Sequence, residues 1–202
     1  MPAPLNGPRL PAASGAAKGL VVFLHGYGAN GDDLIDLGRH WRAALPDVAF
    51  ASPHAPEPCP AAPMGRQWFA FSDAPPEDPA GAARRWAGAV AARPAIDAFL
   101  DAELGKFRLD DSRLALVGFS QGAMMALHVG LRRKRAPACI LGYFGLLIGP
   151  EHLREATARD ARGAPPPILL VHGDQDPLIP VEAMFIAAEA LAEAEIPTQW
   201  HM

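Results

Sequence analysis

Cysteine is scarce in this sequence, since Cys59 and Cys139 are its two cysteines among 202 residues. Without a framework of closely spaced cysteine pairs, they are expected to be separate reduced thiols rather than a structural disulfide, and neither lies in a metal-type CxxC pattern. Residues 1–17 also lack an apolar stretch after a basic start, so the sequence predicts no signal peptide. Together these absences favour a cytoplasmic protein.

Long apolar runs and an excess of positive charge are missing as well. Runs such as residues 20–24 and 168–171 are far shorter than the roughly 18 apolar residues of a membrane-spanning helix, so no membrane span is predicted. The 18 lysines and arginines are outnumbered by 22 aspartates and glutamates, which leaves a formal net charge of -4. Because no basic surplus would draw the chain to a phosphate backbone, nucleic acid is not expected as a partner.

The remaining composition is typical of a globular protein, with 50% hydrophobic and 20% charged residues. The length suits one domain with a single core better than two domains. We therefore predict one domain over residues 1–202, in which about the first 17 residues form an irregular N-terminal segment. The sequence leaves open whether the protein forms a homodimer.

Short apolar runs alternate with helical patterns along the chain. The predicted strands are residues 19–24, 48–52, 114–118, 138–143 and 167–171, and the predicted helices are residues 32–44, 82–107, 121–133, 151–158 and 181–194. Pro94 is expected to kink or split the longest of these helices. The basic run 132–135 is interpreted as a solvated helix end. The alternation predicts an α/β fold with a doubly wound, mostly parallel sheet, helices on both faces, and ligand sites at the carboxyl ends of the strands.

The strongest local pattern is GxSxG at residues 118–122, directly after a predicted strand and at the start of a helix. A serine on such a strained strand-to-helix turn projects its hydroxyl from the edge of the sheet, and side chains two residues away on either side would crowd it. The pattern predicts Ser120 as a nucleophile. The alternative is a glycine-rich turn whose serine caps the helix.

A serine hydroxyl needs a base to take its proton and an acid to orient that base. Two carboxylates, Asp174 and Asp176, lie just past the strand at residues 167–171. Asp176, deeper in the turn and followed by Pro177, is the predicted acid, while Asp174 is predicted to organise the loop through backbone hydrogen bonds. The alternative is that both carboxylates cap the helix that begins near residue 181.

The oxyanion of an acyl-transfer intermediate needs two backbone amides aimed at it. Gln121 follows the nucleophile, and Tyr27 lies in the glycine-rich loop at residues 25–31, so these two amides are the predicted pair. The same loop also spells GxGxxG, the pattern of a dinucleotide-binding turn. That reading is the minor alternative, because residues 51–54 offer no acidic residue for a ribose. No cofactor and no metal are expected.

Four motifs in this order resemble the phospholipase/carboxylesterase family of α/β hydrolases, which includes the acyl-protein thioesterases. They are LHGYGANGDDL at residues 24–34, QWF at 67–69, GFSQG at 118–122 and HGDQDPLIP at 172–180. The resemblance runs from about residue 20 to the end and implies an α/β-hydrolase fold. It also implies hydrolysis of small carboxylic esters or thioesters with short to medium acyl chains, through an acyl-enzyme intermediate.

The resemblance also implies roles for single residues. Residues matching Ser120 and Asp176 are nucleophile and acid in this family, and those matching Tyr27 and Gln121 form the oxyanion hole. The QWF segment borders the acyl pocket in relatives, which makes Trp68 and Phe69 candidate substrate contacts. The alternative is that both side chains belong only to the hydrophobic core. At position 144 this chain has phenylalanine, where many relatives have a serine. We expect Phe144 to change the shape of the wall beside it.

The catalytic histidine is the point at which the sequence departs from the family. On this fold it follows the acid, in a loop after the last strand. Residues 197–202 resemble that last strand, and the histidine loop and final helix of relatives do not appear after it. His201 is the one histidine after Asp176, yet it aligns with a strand position. We expect a C-terminal truncation with the base beyond Met202; the alternative is a catalytically silent protein that binds acyl ligands or partners.

Overall fold

The computed structural model describes residues 4–70, 78–157 and 164–202. Within them the strands are β1 Arg9–Leu10, β2 Gly19–Leu24, β3 Val48–Ala51, β4 Glu57–Pro58, β5 Arg66–Gln67, β6 Leu114–Phe119, β7 Cys139–Tyr143, β8 Ile168–Val171 and β9 Thr198–His201. The α-helices are α1 Gly31–Trp41, α2 Pro79–Phe107, α3 Gln121–Gly130, α4 Leu153–Thr157 and α5 Glu182–Glu193. None of these helices is both long and apolar enough to cross a membrane.

Seven strands form one sheet in the order β1-β3-β2-β6-β7-β8-β9. Strand β1 runs antiparallel to β3, and the other neighbours are parallel. The predicted doubly wound, mostly parallel α/β sheet is confirmed. After β2 the chain forms β3 on one side of β2, and it then returns to form β6 on the other side. The loops that follow β2 and β6 therefore lead in opposite directions, which leaves a crevice at the carboxyl ends of these two strands.

The core lies on both faces of this sheet. One large cluster packs α2, α3 and α5 against one face, while a smaller cluster around Phe23, Phe50 and Ile35 packs under α1 on the other. Every residue of α3 is buried. Because α3 is enclosed along its whole length, the turn that joins it to β6 is held in one position.

Local structure differs from the sequence predictions in several respects. The N-terminal segment expected to be irregular contains β1, which pairs with the edge of β3. Helix α2 continues through Pro94, so of the expected kink or split the split is wrong. The predicted helix at residues 151–158 is divided into a 3-10 turn, Pro150–His152, and the short α4, and its last residue lies outside the described residues.

Arg133 corrects the interpretation of the basic run as a solvated helix end. Its side chain is only 8% exposed, and its Nη1 donates to Asp97 Oδ1 and its Nε to Asp111 Oδ1, both at 2.8 Å. A third hydrogen bond from Nη2 reaches Asp101. The guanidinium therefore joins α2, the end of α3 and the turn before β6.

We predict that Arg133→Met lowers the free energy of unfolding by about 3–5 kcal/mol, because it leaves the buried Asp111 carboxylate without its partner. The matched control is Arg135→Met, whose ion pair with Asp110 is exposed and 3.6 Å long and should matter by less than about 1 kcal/mol. Urea unfolding of both variants measures the difference. Equal losses would contradict a structural role for the buried guanidinium.

Candidate active site

Ser120 lies at the turn between β6 and α3 with φ 52° and ψ -118°. A positive φ is strained for a residue with a side chain and persists only where its surroundings enforce it. Here the Ser120 N–H donates to the Tyr143 carbonyl at 2.8 Å, and its own carbonyl accepts from Ala123 N at 2.9 Å. The hydroxyl makes no capping hydrogen bond to α3, so the structure does not support the helix-cap alternative.

The two glycines of GxSxG allow backbone segments to touch. A Cβ on Gly118 would lie 2.2 Å from the Gly122 carbonyl oxygen, and a Cβ on Gly122 would lie 1.9 Å from the Leu24 carbonyl oxygen. Both separations are far shorter than any non-bonded contact of a Cβ atom, so both positions require glycine. The motif thus seats the start of α3 directly against the end of β2.

The glycine-rich loop after β2 lies beside the serine. A Cβ on Gly26 would be 3.2 Å from Ser120 Cβ, which places the Gly26–Tyr27 peptide next to the nucleophile turn. The loop is paired with the start of β5, because Gly28 N donates to the Arg66 carbonyl at 3.0 Å and Arg66 N donates to the Ala29 carbonyl at 2.8 Å. The two predicted oxyanion donors, Tyr27 N–H and Gln121 N–H, therefore belong to peptide units adjoining Ser120.

The N-terminus of α1 argues against the dinucleotide alternative for this loop. Asn30 Oδ1 accepts from Asp32 N at 2.8 Å, and Asp33 Oδ2 accepts from Asn30 N at 2.7 Å, which completes a capping box. Asp32 and Asp33 both lie in the first turn of α1, so negative side chains lie at the helix N-terminus that a pyrophosphate would need free. The glycines of the GxGxxG pattern therefore belong to the tight turn after β2 and to the capped start of α1.

The loop after β8 is organised by Asp176, whereas the sequence assigned that task to Asp174. Asp176 Oδ1 accepts from Leu178 N at 2.8 Å and from Ile179 N at 3.1 Å. Asp174 is exposed. The second carboxylate oxygen of Asp176 lies 3.4 Å from His172 Nε2.

The described histidines do not complete a triad. His172 is buried, and its Nε2 also lies 2.8 Å from the Ile179 carbonyl oxygen, so this ring braces the acid loop. His201 lies on β9, as predicted, with its side chain exposed and its carbonyl accepting from His172 N at 3.1 Å. In the described part of the chain no hydrogen bond joins Ser120 Oγ to a histidine, and His172 is the one histidine with a ring nitrogen within 4 Å of an Asp176 carboxylate oxygen.

Trp68 and Phe69 are buried, with 1% and 5% of their surface exposed. Trp68 N donates to Gln121 Oε1, and Gln121 Nε2 donates to the Phe69 carbonyl, both at 2.8 Å. These bonds tie the QWF segment to the nucleophile turn. A role of the two aromatic residues in substrate contact remains a prediction, and the role of the Gln121 side chain had no signal in the sequence because its partners are more than 50 residues away.

An apolar groove of about 340 Å³ lies between the starts of α2 and α5 and the segment that follows β7. Its walls come from residues 146–151, the first turns of α5 and the start of α2. Gly145, just before these residues, lies against the nucleophile turn, since a Cβ there would be 3.1 Å from the Ser120 carbonyl oxygen. Phe144 packs between the rings of Phe119 and His172, each 5.4 Å away, and so forms part of the wall towards the acid loop.

His128 lies on α3 and is buried, with no hydrogen-bond partner for either ring nitrogen among the described residues. Burial, with the nearby charges of Arg132 and Arg93, lowers the pKa of His128 from 6.5 to about 3. The folded state therefore binds fewer protons than the unfolded state between these values, and stability falls as the pH drops from about 6.5 towards 3.

We predict that His128→Leu flattens the fall of the unfolding free energy in this pH window. The contribution of one such histidine approaches about 1.4 kcal/mol per pH unit. Urea unfolding at a series of pH values measures the slope, which is independent of any constant stability change caused by leucine. Parallel curves for the two proteins would show that His128 is not the titrating group.

The strand order and the strained serine between β6 and α3 define a hydrolase of the α/β-hydrolase fold. A family model described as phospholipase/carboxylesterase matches residues 6–201. Acyl-protein thioesterase 1 of Schizosaccharomyces pombe is 30% identical over 166 residues, which are 79% of this chain and 69% of that protein. The chain belongs to the phospholipase/carboxylesterase family.

Further relatives agree with this assignment. Esterase YpfH of Escherichia coli is 26% identical over 178 residues, 88% of this chain and 70% of that protein. The crystal structure of esterase PE8 superposes with a TM-score of 0.88 at 44% identity, covering 98% of this chain and 88% of that one. The family named from the motifs is thereby confirmed.

Proposed function

We propose that this protein hydrolyses small carboxylic esters or thioesters through an acyl-enzyme intermediate on Ser120. The observation that carries the proposal is the strained serine between β6 and α3, placed against the Gly26–Tyr27 peptide. The relatives named as thioesterase and esterase support the same reaction type.

In the proposed mechanism Ser120 Oγ attacks the carbonyl carbon of the substrate while a histidine held by Asp176 takes the hydroxyl proton. The N–H groups of Tyr27 and Gln121 donate to the oxyanion of the tetrahedral intermediate. The C–O or C–S bond to the leaving group breaks, the leaving alcohol or thiol takes the proton, and the acyl group stays on Ser120. A water molecule then attacks the acyl-enzyme in the same way and releases the acid.

The apolar groove is the basis for proposing a substrate with a short to medium acyl chain. Its lining includes Leu146, Leu147 and Ile148, which follow the Gly145 that packs against the Ser120 carbonyl. Its volume of about 340 Å³ is at the lower end for ligand sites. Apolar lining stabilises each methylene of the acyl chain by roughly 0.8 kcal/mol when it is buried. We therefore assign the acyl chain to this groove and the leaving group to the opposite side of the serine.

Hydrolysis of a series of p-nitrophenyl esters from acetate to dodecanoate tests the proposal. We expect kcat/KM to rise with chain length and then to fall once the chain exceeds the groove. Inactivation by diethyl p-nitrophenyl phosphate should place one diethylphosphoryl group on the tryptic peptide that contains Ser120. Absence of both turnover and adduct would refute the proposed reaction.

A second candidate function, the binding of acyl ligands without turnover, is favoured by one observation. No described histidine is hydrogen-bonded to Ser120 Oγ. Calorimetric binding of butyrate and decanoate at one site, with no ester hydrolysis, would support this function. If hydrolysis is seen, comparison of His201→Ala and His172→Ala identifies whether either ring is the base.

A further inference from the structure

The imidazole of His25 is enclosed at the end of β2, with none of its surface exposed. The Ala55 N–H donates to its Nε2 at 3.0 Å, and its Nδ1 lies 2.8 Å from the Gly26 carbonyl oxygen. A neutral imidazole has one acceptor and one donor nitrogen. Because Nε2 faces a donor, the proton lies on Nδ1, which donates to the Gly26 carbonyl. Burial lowers the pKa of His25 and so favours this neutral form.

The Gly26 carbonyl belongs to the peptide unit that carries the Tyr27 N–H. In a trans peptide the C=O and N–H bonds point in opposite directions within one plane. The carbonyl oxygen accepts from His25 Nδ1 and also from Ala29 N, at 3.2 Å. Two donors on the carbonyl therefore determine the direction of the Tyr27 N–H on the other side of the peptide, in a unit that packs against Ser120.

Hydrogen bonds also connect His25 to the second predicted donor. The indole Nε1 of Trp68 donates to the His25 carbonyl at 2.8 Å, and its ring lies 5.2 Å from the imidazole. The backbone N–H of Trp68 donates to the Gln121 side chain. His25 and the Gln121 side chain are thus joined through the buried Trp68, which agrees with the preorganisation that an oxyanion hole requires.

We propose that His25 is a positioning residue that orients the Tyr27 N–H towards the oxyanion, an assignment that rests on the proposed function. It acts through the Gly26 carbonyl and does not contact the substrate. Since the ring is fully buried and both its nitrogens are engaged, it is not a candidate for the general base.

Two substitutions separate the two hydrogen bonds of the ring. In His25→Asn the side-chain amide reaches the place of Nδ1 and can still donate to the Gly26 carbonyl, but it loses the acceptor for Ala55. In His25→Gln the amide reaches the place of Nε2 and can still accept from Ala55, but it loses the donor to Gly26. Each variant removes one buried hydrogen bond, so the two should lose similar thermal stability.

We expect kcat for p-nitrophenyl butyrate to be at least about tenfold lower in His25→Gln than in His25→Asn, with similar KM, since loss of an oxyanion donor costs roughly 10²–10³ in kcat. A readout without turnover is the affinity for butylboronic acid, which forms a tetrahedral adduct on the serine, compared with that for butyrate. His25→Gln should weaken boronate binding selectively.

The outcomes separate this assignment from the proposed function. If the unsubstituted protein neither hydrolyses the ester nor binds the boronate at Ser120, the proposed function is wrong and the assignment falls with it. If the unsubstituted protein does either, and the two His25 variants lose activity and boronate affinity equally, the positioning role alone is wrong.

Discussion

Ser120→Ala is expected to lower kcat for p-nitrophenyl butyrate by a factor of about 10⁴ or more, because it removes the nucleophile and leaves only the oxyanion hole and substrate binding. The fold should be unchanged. Alanine keeps the Cβ that the strained turn already accommodates, and the hydroxyl makes no capping hydrogen bond to α3. Steady-state hydrolysis and thermal unfolding of the purified variant measure the two effects.

The matched control is Ser112→Ala, an exposed serine in the 3-10 turn before β6 that hydrogen-bonds Asp110. This variant should retain the unsubstituted kcat. If Ser120→Ala instead hydrolysed the ester at the rate of the Ser112 control, the nucleophile would have to be another group, and the mechanism proposed above would be wrong.

Gly122→Ala is expected to lower the free energy of unfolding by at least about 3 kcal/mol, at the upper end of what overpacking costs. The added methyl group would lie 1.9 Å from the Leu24 carbonyl oxygen. That oxygen belongs to β2, which is paired on both sides by β3 and β6 and cannot move away. Moving α3 instead would displace Ser120, so activity should fall together with stability.

Gly105→Ala provides the comparison, since Gly105 is also a helical glycine but a Cβ there would meet nothing within 4 Å. Alanine in the last turns of α2 should raise the free energy of unfolding by about 0.5–1 kcal/mol, because glycine loses more backbone entropy in a helix. Chemical unfolding of both variants measures the contrast. Equal stabilities would show that the close approach of α3 to β2 is not what requires glycine.

The architecture could be predicted because its signals are local. Strands β2, β3, β6, β7 and β8 are short apolar runs bounded by turn residues, and their observed limits agree with the predicted ones within one residue. Strand β9 has no such run and was predicted from the family resemblance. Strand β1 was missed because two residues are too few for a pattern, and its pairing with β3 depends on the fold. Helix α2 tolerates Pro94 because the carbonyl that loses its donor belongs to Val90, on the exposed face of the helix.

The predictions for the site are limited to features that depend on residues close together in the sequence. GxSxG and the loop after β2 identify a serine and two backbone amides because the turn and the helix start are local geometry. The carboxylates around Arg133 and the hydrogen-bond partners of the Gln121 side chain lie in distant segments of the chain. No local sequence pattern predicts these contacts. That Asp176 and not Asp174 organises the loop after β8 has the same cause, since the direction of each side chain depends on the folded loop.

The sequence by itself therefore determined the alternation of parallel strands and helices and the residues of the turn at Ser120, because steric limits on the backbone and the burial of apolar runs act within short segments. Its motifs identified the family. Only the tertiary structure decided which buried polar groups meet. It placed His25 between Ala55 and Gly26, and it brought Gln121 to the QWF segment. Those contacts form because a buried polar group must find a hydrogen-bond partner wherever the packed chain supplies one.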